Sequence, residues 1–307
     1  MVILEKLILE TKNLTKKYKE EAVVNAVNLK VKEGSIYGFL GPNGAGKTTA
    51  IRLILGLTRS DQGEVYIFEK DFHKHRSEIL SKIGSLIESP SYYPHLTGGE
   101  NLEVFRRIWG IADKKRVDEV LEIVKLTQAK NKKAKNYSLG MKQRLGIALA
   151  LLHQPQFLIL DEPTNGLDPS GIHEIRELVK EMPKQFGITV MLSSHLLSEI
   201  EQVATDVGII REGNLIYQDS LKELQKQAKP QIVLSVDQTE RAKNVLADTP
   251  FEYFADENEI FILNPESHAV GLITKTLVEK EITIHRIEER GGSLEQIFLD
   301  MVGSDAS

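Results

Sequence analysis

The chain contains no cysteine, which excludes disulfides and thiolate-bound metals and fits a cytoplasmic location. It also lacks any uninterrupted apolar run long enough to cross a bilayer. The nearest, Leu145 to Leu160, is broken by His153, Gln154, Pro155 and Gln156. The opening Met1-Val2-Ile3-Leu4-Glu5-Lys6 has no basic head followed by a long apolar stretch, so no signal peptide is expected. An excess of positive charge is missing too. With a formal net charge of -5 the chain has no general attraction for nucleic acid or anionic lipid, and a protein partner is left as the route to any membrane. No internal repeat is found.

What is present is ordinary globular composition, 41% hydrophobic and 27% charged over 307 residues, enough for one sizeable core and a second small domain. The most informative stretch is Gly41-Pro42-Asn43-Gly44-Ala45-Gly46-Lys47-Thr48-Thr49. It fits G-x-x-x-x-G-K-[ST], follows a short apolar run from Ile36 to Leu40, and precedes Ala50 to Leu55, which reads as a helix. In that setting the glycines let successive N–H groups turn inward, and the helix N-terminus adds positive potential. Lys47 then sets a full charge against the β- and γ-phosphates of a nucleotide, and the Thr48 hydroxyl is offered to Mg²⁺. The bland alternative is a Gly-rich turn that merely starts a helix.

Strand-like patterns occupy Leu7 to Thr11 and Ala22 to Lys32, separated by a polar turn around Lys16 to Glu21 that includes Tyr18. Further apolar runs lie at Glu64 to Ile67 and Ile83 to Ile87, the latter ending at Glu88. Residues 89–154 differ in kind. Asn101 to Trp109, Val117 to Leu126 and the stretch from Leu139 have helical spacing, so a helical insertion is expected there. Alternation resumes with a strand at Phe157 to Leu160, a helix from Ser170 to Met182, a strand at Thr189 to Leu192, a helix from Leu196, and strands at Val207 to Arg211 and Leu215 to Tyr217. Strands separated by helices imply an α/β fold with a mainly parallel sheet covered on both faces. The basic run Lys130 to Lys135 reads first as a solvated face, with contact to lipid headgroups or a partner as the alternative.

A charged, Gln-rich segment, Leu221 to Pro230, marks a composition shift. Beyond it the pattern is strand, helix, two strands joined by the turn Asp256-Glu257-Asn258, helix, strand and a closing helix from Ser293 to Met301. This β-α-β-β-α-β order predicts a ferredoxin-like α+β unit over 230–307, with no metal cluster and no phosphate loop, and so a regulatory or interactive role.

Phe157-Leu158-Ile159-Leu160-Asp161-Glu162 sets two carboxylates directly after a buried strand, at the sheet edge where ligands of such folds bind. Asp161 can hold Mg²⁺ through its water shell and Glu162 can polarise an attacking water. A pair of helix-capping acids, supported by Pro163 and Thr164, is the alternative.

Taken in order over residues 7 to about 225, these motifs resemble the nucleotide-binding subunit of an ABC transporter. The resemblance implies a P-loop ATPase domain over 1–225 with an antiparallel β subdomain and the insertion at about 89–154. It places Tyr18 where the family stacks an aromatic on adenine, Gly166-Leu167-Asp168 at the D-loop, and His195, after Ser193-Ser194, at the switch histidine that reaches the γ-phosphate. The family signature, usually Leu-Ser-Gly-Gly-Gln, stands here as Tyr137-Ser138-Leu139-Gly140-Met141. Ser138 and Gly140 keep the hydroxyl and the close-approach glycine, while Leu139 and Met141 replace a glycine and an amide. Glu88 occupies the place of the glutamine that senses Mg²⁺ and the attacking water, and a carboxylate there costs affinity for triphosphate unless a cation offsets it. With Ser89 to Thr97 following it, this stretch resembles the bacitracin-resistance and lantibiotic self-protection exporters.

The implied activity is ATP hydrolysis with Mg²⁺ by a homodimer whose two sites each combine one phosphate loop with the partner's Ser138–Gly140 segment. The implied partners are separate integral membrane permease subunits, which hold this cytoplasmic chain peripherally on the inner face of the cell membrane, and the net charge of -5 disfavours nucleic acid. A soluble ABC ATPase acting on nucleic acid or ribosomes, and a non-hydrolytic ATP sensor, are the competing readings.

Overall fold

The computed structural model describes residues 6–226, 231–247, 249–256, 259–263, 269–290 and 294–302. Backbone contacts separate two compact units, Met1–Leu221 and Lys222–Ser307.

In the first unit the strands are β1 (Leu7–Tyr18), β2 (Glu21–Val27), β3 (Lys30–Lys32), β4 (Ile36–Leu40), β5 (Gln62–Ile67), β6 (Lys70–Asp71), β7 (Ile83–Leu86), β8 (Phe157–Leu160), β9 (Thr189–Ser194), β10 (Asp206–Arg211) and β11 (Asn214–Ser220). The helices are α1 (Lys47–Ile54), α2 (Arg76–Leu80), α3 (Gly98–Ile108), α4 (Lys115–Ile123), α5 (Leu139–Leu151), α6 (Pro169–Phe186) and α7 (Leu197–Glu201). β4, β8 and β9 are buried at every position, as strands covered on both faces must be. They sit at the centre of a six-stranded sheet of order β11-β10-β4-β9-β8-β7, parallel throughout except for the β10–β11 hairpin. Leu40 pairs with Ser194 and Leu160 with Leu192. The loops that follow β4, β8 and β9 therefore leave the sheet side by side at one edge.

A second, antiparallel sheet runs β2-β1-β5-β6, with β3 also paired to β1. Here the structure corrects the expected polar turn at Lys16 to Glu21. β1 continues through Tyr18, which pairs with Glu21, and only Lys19 and Glu20 turn, with Lys19 at φ 57°. The polar residues alternate on an exposed hairpin tip, which a hydropathy pattern cannot tell from a loop. The expected strand Ala22 to Lys32 is interrupted after Val27, where the Asn28 side chain accepts from the Asn13 N–H.

α3, α4 and α5 form the insertion between β7 and β8. Thr97 and Glu100 close a capping box on α3, and Ser138 caps α5. Asn101, fully buried, grips the preceding loop by accepting from Tyr93 N–H and donating to the carbonyls of Tyr93 and Thr97. Much of the basic run has structural work: Ala134 N–H and Lys135 N–H donate to Leu96 and Pro94, and Lys130 pairs with Asp118. The side chains of Lys132, Lys133 and Lys135 are exposed. α6 runs past its expected end, through Pro183, and stops at Gly187 in the left-handed conformation.

The second unit contains α8 (Leu221–Lys226, beginning at the boundary), β12 (Gln231–Val236), α9 (Thr239–Ala247), β13 (Tyr253–Asp256), β14 (Glu259–Leu263), α10 (Ala269–Glu279), β15 (Ile284–Arg290) and α11 (Leu294–Val302). Its antiparallel sheet has the order β13-β14-β12-β15, the ferredoxin-like arrangement, with Ile232, Leu234, Ile260 and Ile262 packed with Ala242, Leu246, Ile273 and Leu277. Glu257 and Asn258 of the expected hairpin turn, Lys229-Pro230 and Ser293 lie outside the described residues. Among the described residues no helix is long and apolar enough to cross a membrane.

Candidate active site

The loop after β4 is shaped by its glycines. Gly44 and Gly46 take φ 81° and 103°, which side chains resist, and a Cβ on Gly46 would lie 2.4 Å from the Val23 carbonyl oxygen. The β2 strand therefore lies directly against the loop. Gly46 ends the turn and α1 begins at Lys47 with neither a side-chain cap nor an acidic residue in its first turn, so the positive end of the helix is left for a ligand. Lys47 is buried. Its Nζ donates to the Gly41 and Pro42 carbonyls at 2.6 and 3.1 Å and lies 3.2 Å from Glu162 Oε1.

Thr48 Oγ1 donates to Asp161 Oδ2 at 2.8 Å, joining the loop to the end of β8. Asp161 is 2% exposed, and its other oxygen accepts from Ser193 Oγ at 2.6 Å. The same Ser193 hydroxyl accepts from the Glu162 N–H at 2.9 Å, and this holds Glu162 at φ 48°, a left-handed conformation that a non-glycine residue adopts only under constraint. Glu162 Oε2 is 2.8 Å from His195 Nδ1. A proton on Nδ1 makes this a charge-assisted bond that aims the carboxylate. Glu162 thus stands between Lys47 on one oxygen and His195 on the other. Neither acid caps a helix; that role falls to Asp168, whose Oδ1 accepts from Gly171 N–H at the start of α6.

Five predicted residues, Lys47, Thr48, Asp161, Glu162 and His195, are joined in one bonded cluster. Gly41 and Pro42 join it through Lys47, while Tyr18, Glu88, Ser138, Gly140 and Asp168 stand apart. Tyr18 is half exposed with the Lys16 ammonium 5.5 Å from its ring centre, on the hairpin whose other strand touches Gly46. Ser138 and Gly140, at the start of α5, lie by the Gly166–Gly171 segment, with Leu139 Cδ2 at 3.4 Å from the Cβ position of Gly166. Neither bonds to residues 41–49 of its own chain. Glu88, at φ 59°, does not bond to Thr48 or Asp161. Its carboxylate is 2.6 Å from Arg52, one turn along α1 from Thr48, and this is the offsetting cation a carboxylate needs there.

Arg52, Ser193, Ser194, Thr164 and Glu199 escaped sequence reasoning. Only the Ser193-Ser194 pair carried a signal, since hydroxyls at the end of an apolar strand are unusual unless they bond.

Among the described residues no three His, Asp or Glu side chains form a dedicated metal cage. The Thr48 hydroxyl and Asp161 carboxylate are hard oxygen donors, and such a sparse set fits Mg²⁺, which takes the rest of its shell from phosphate and water.

A family model described as ABC transporter matches residues 24–165. The chain is 44% identical to the bacitracin transport ATP-binding protein BcrA of Bacillus licheniformis, over 96% of this chain and 97% of that protein. It is 43% identical to the lantibiotic transport ATP-binding protein SrtF of Streptococcus pyogenes, over 68% of this chain and 89% of that protein. A dimeric post-hydrolysis structure of the ATP-binding cassette MJ0796, bound to ADP and Pi, superposes with a TM-score of 0.62 at 29% identity, covering 69% of this chain and 98% of that one.

Proposed function

Because the chain belongs to the ABC transporter family of ATP-binding subunits and is an ATPase, we propose that it powers a membrane exporter or resistance pump for antimicrobial peptides of the bacitracin or lantibiotic kind. The observation that carries the catalytic part is the bonded cluster of Lys47, Thr48, Asp161, Glu162 and His195.

Lys47 and the amides of Gly41 to Thr49 hold the phosphates, and Tyr18 takes the adenine. Thr48 and Asp161 would hold Mg²⁺, which supplies charge neutralisation on the phosphates when bound. Glu162 accepts a proton from the water whose oxygen attacks the γ-phosphorus, while the bond from phosphorus to the β,γ-bridging oxygen breaks and ADP leaves. His195 keeps the Glu162 carboxylate aimed. Glu88, paired with Arg52 in this arrangement, acts as a sensor at the edge of the site, and as a metal ligand only in a second one.

Two copies pair head to tail, so that Ser138, Gly140 and the Asp168 loop of one complete the site of the other. This accounts for a signature segment that makes no bond to its own phosphate loop. Separate integral membrane permeases dock at the groove lined by Ser89, Phe105, Trp109 and Leu149, on the inner face of the cell membrane. Nucleic acid has no place in this scheme, given the net charge of -5.

Replacing Glu162 by Gln keeps the shape and removes the base. The purified variant is expected to run as a dimer with ATP, and cells carrying it in place of the native chain to become sensitive to bacitracin-type peptides. A variant that stays monomeric in ATP by size analysis sinks the dimer mechanism.

A further inference from the structure

We propose that Glu199 is a positioning residue that ties the Glu162-bearing loop to the His195-bearing end of β9 through one oxygen atom. The proposal rests on the reading of Glu162 as the base and His195 as its orienting partner.

Glu199 Oε2 accepts from Thr164 Oγ1 at 2.7 Å and from Ser194 Oγ at 2.8 Å. Thr164 lies two residues after Glu162, and Ser194 directly precedes His195. Both hydroxyl-bearing residues are buried, Thr164 at 9% and Ser194 at 1% exposure, so water does not readily replace the carboxylate as their acceptor. Ser194 Oγ in turn accepts from the Leu196 N–H at 3.0 Å, so the backbone is fixed on both sides of His195. On the other loop, Glu162 is left-handed and is held on its N-terminal side by Ser193. On its C-terminal side the Thr164 bond adds to the turn in which the Asn165 N–H donates to the Glu162 carbonyl. The 2.8 Å contact between Glu162 and His195 depends on two loops from different strands keeping their spacing; Ser193 ties them ahead of Glu162, and Glu199 bonds to both through Thr164 and Ser194.

A plainer role would be an acid in the first turn of α7 favouring the helix dipole. The geometry points elsewhere. α7 has five residues, and the oxygen that makes both bonds is given to hydroxyls of other elements. Because both donors meet the same oxygen, an amide carbonyl can stand in for it. A shortened or missing side chain cannot.

Steady-state ATPase kinetics on the full-length chain test this. Glu199→Ala is expected to lower kcat about tenfold or more while KM for ATP stays within about twofold, since misplacement of a reacting group by ~1 Å is enough for such a loss. Glu199→Gln is expected to keep roughly a third or more of wild-type kcat, and Glu199→Asp to behave like the alanine variant. Thr164→Val removes one donor and leaves α7 untouched, so it reports on the same bond even if Glu199→Ala fails to fold. It should lower kcat, and combining it with Glu199→Ala should cost little more. Wild-type kcat in both Glu199→Ala and Thr164→Val overturns the proposal, as does a Gln variant no better than Ala, or a change confined to KM. Glu162→Gln is the control that separates the two levels: turnover surviving in it would remove the premise, whereas an inactive Glu162→Gln beside a fully active Glu199→Ala would remove only this inference.

Discussion

Removing the hydroxyl of Ser193 should destabilise the first unit and blunt its chemistry together. The side chain is fully buried and makes two bonds at once, donating to Asp161 Oδ1 at 2.6 Å and accepting from Glu162 N–H at 2.9 Å. In Ser193→Ala a hydrogen bond to a carboxylate is lost, about 1.5–3 kcal/mol, and a part-buried N–H is left without its partner, about 1–3 kcal/mol at most. The two terms share one hydroxyl and partial relaxation offsets some of the cost, so the net is about 2–4 kcal/mol. The change removes a single oxygen, so a cavity term adds little. For a unit of this size each kcal/mol moves the melting temperature by about 2–4 °C, which predicts a fall of roughly 4–16 °C. The chain has one tryptophan, Trp109, and it lies in the first unit, so its fluorescence during urea or thermal unfolding reports that unit alone. Ser198→Ala, at an exposed position on α7, serves as control and should stay within about 0.5 kcal/mol. A Ser193→Ala protein that unfolds at the wild-type midpoint, or no earlier than the control, would refute the bonding argument.

A double-mutant cycle on Arg52→Gln and Glu88→Gln should show that Arg52 matters because Glu88 is charged. ATP affinity, read by titration, is expected to fall about two- to fivefold in Arg52→Gln alone and to change little when Glu88 is already Gln; equal losses in both backgrounds would exclude compensation. His153 should make stability depend on pH. It stacks on Trp109 at 4.3 Å, and burial holds its pKa below the ordinary 6.5. Above about pH 6.5 the folded and unfolded chains are both neutral there, and as pH falls toward the lowered folded value the unfolded state takes up the proton first, so stability is lost on acidification. His153→Gln should flatten that part of the pH profile of the Trp109 unfolding midpoint, and an unchanged slope would show that His153 does not set it.

Much of the site was legible because its backbone chemistry is contiguous. A glycine-rich loop between an apolar run and a helix can bind phosphate only through its own consecutive amides, so the candidate role of Gly41 to Thr49 is legible without any other part of the chain. The acids at Asp161 and Glu162 follow a strand that is apolar at every position, which places them at a sheet edge. The β-α-β-β-α-β chain order of the tail was likewise written in local periodicity and is the order β12-α9-β13-β14-α10-β15 of its elements, whereas the sheet order β13-β14-β12-β15 was not.

Hydropathy failed where it carries no information, at the polar hairpin tip that keeps Tyr18 in β1, and at the Ala22 to Lys32 run that breaks after Val27.

What the sequence by itself determined, then, was which residue types stand at which strand ends, because those choices are set by neighbours along the chain. Which of them bond was decided only by tertiary structure. Thr48 meets Asp161 across 113 positions, Ser193 meets Asp161 across 32, and Glu199 meets Thr164 across 35, because β9 lies between β4 and β8 in the sheet. Strand order and register create those contacts, and no periodicity in the sequence records them. The left-handed turn of Glu162 and the hold of Arg52 on Glu88 are of the same kind: they follow from packing at the sheet edge, where geometry that no single segment prefers is kept by bonds from elements far away in the chain.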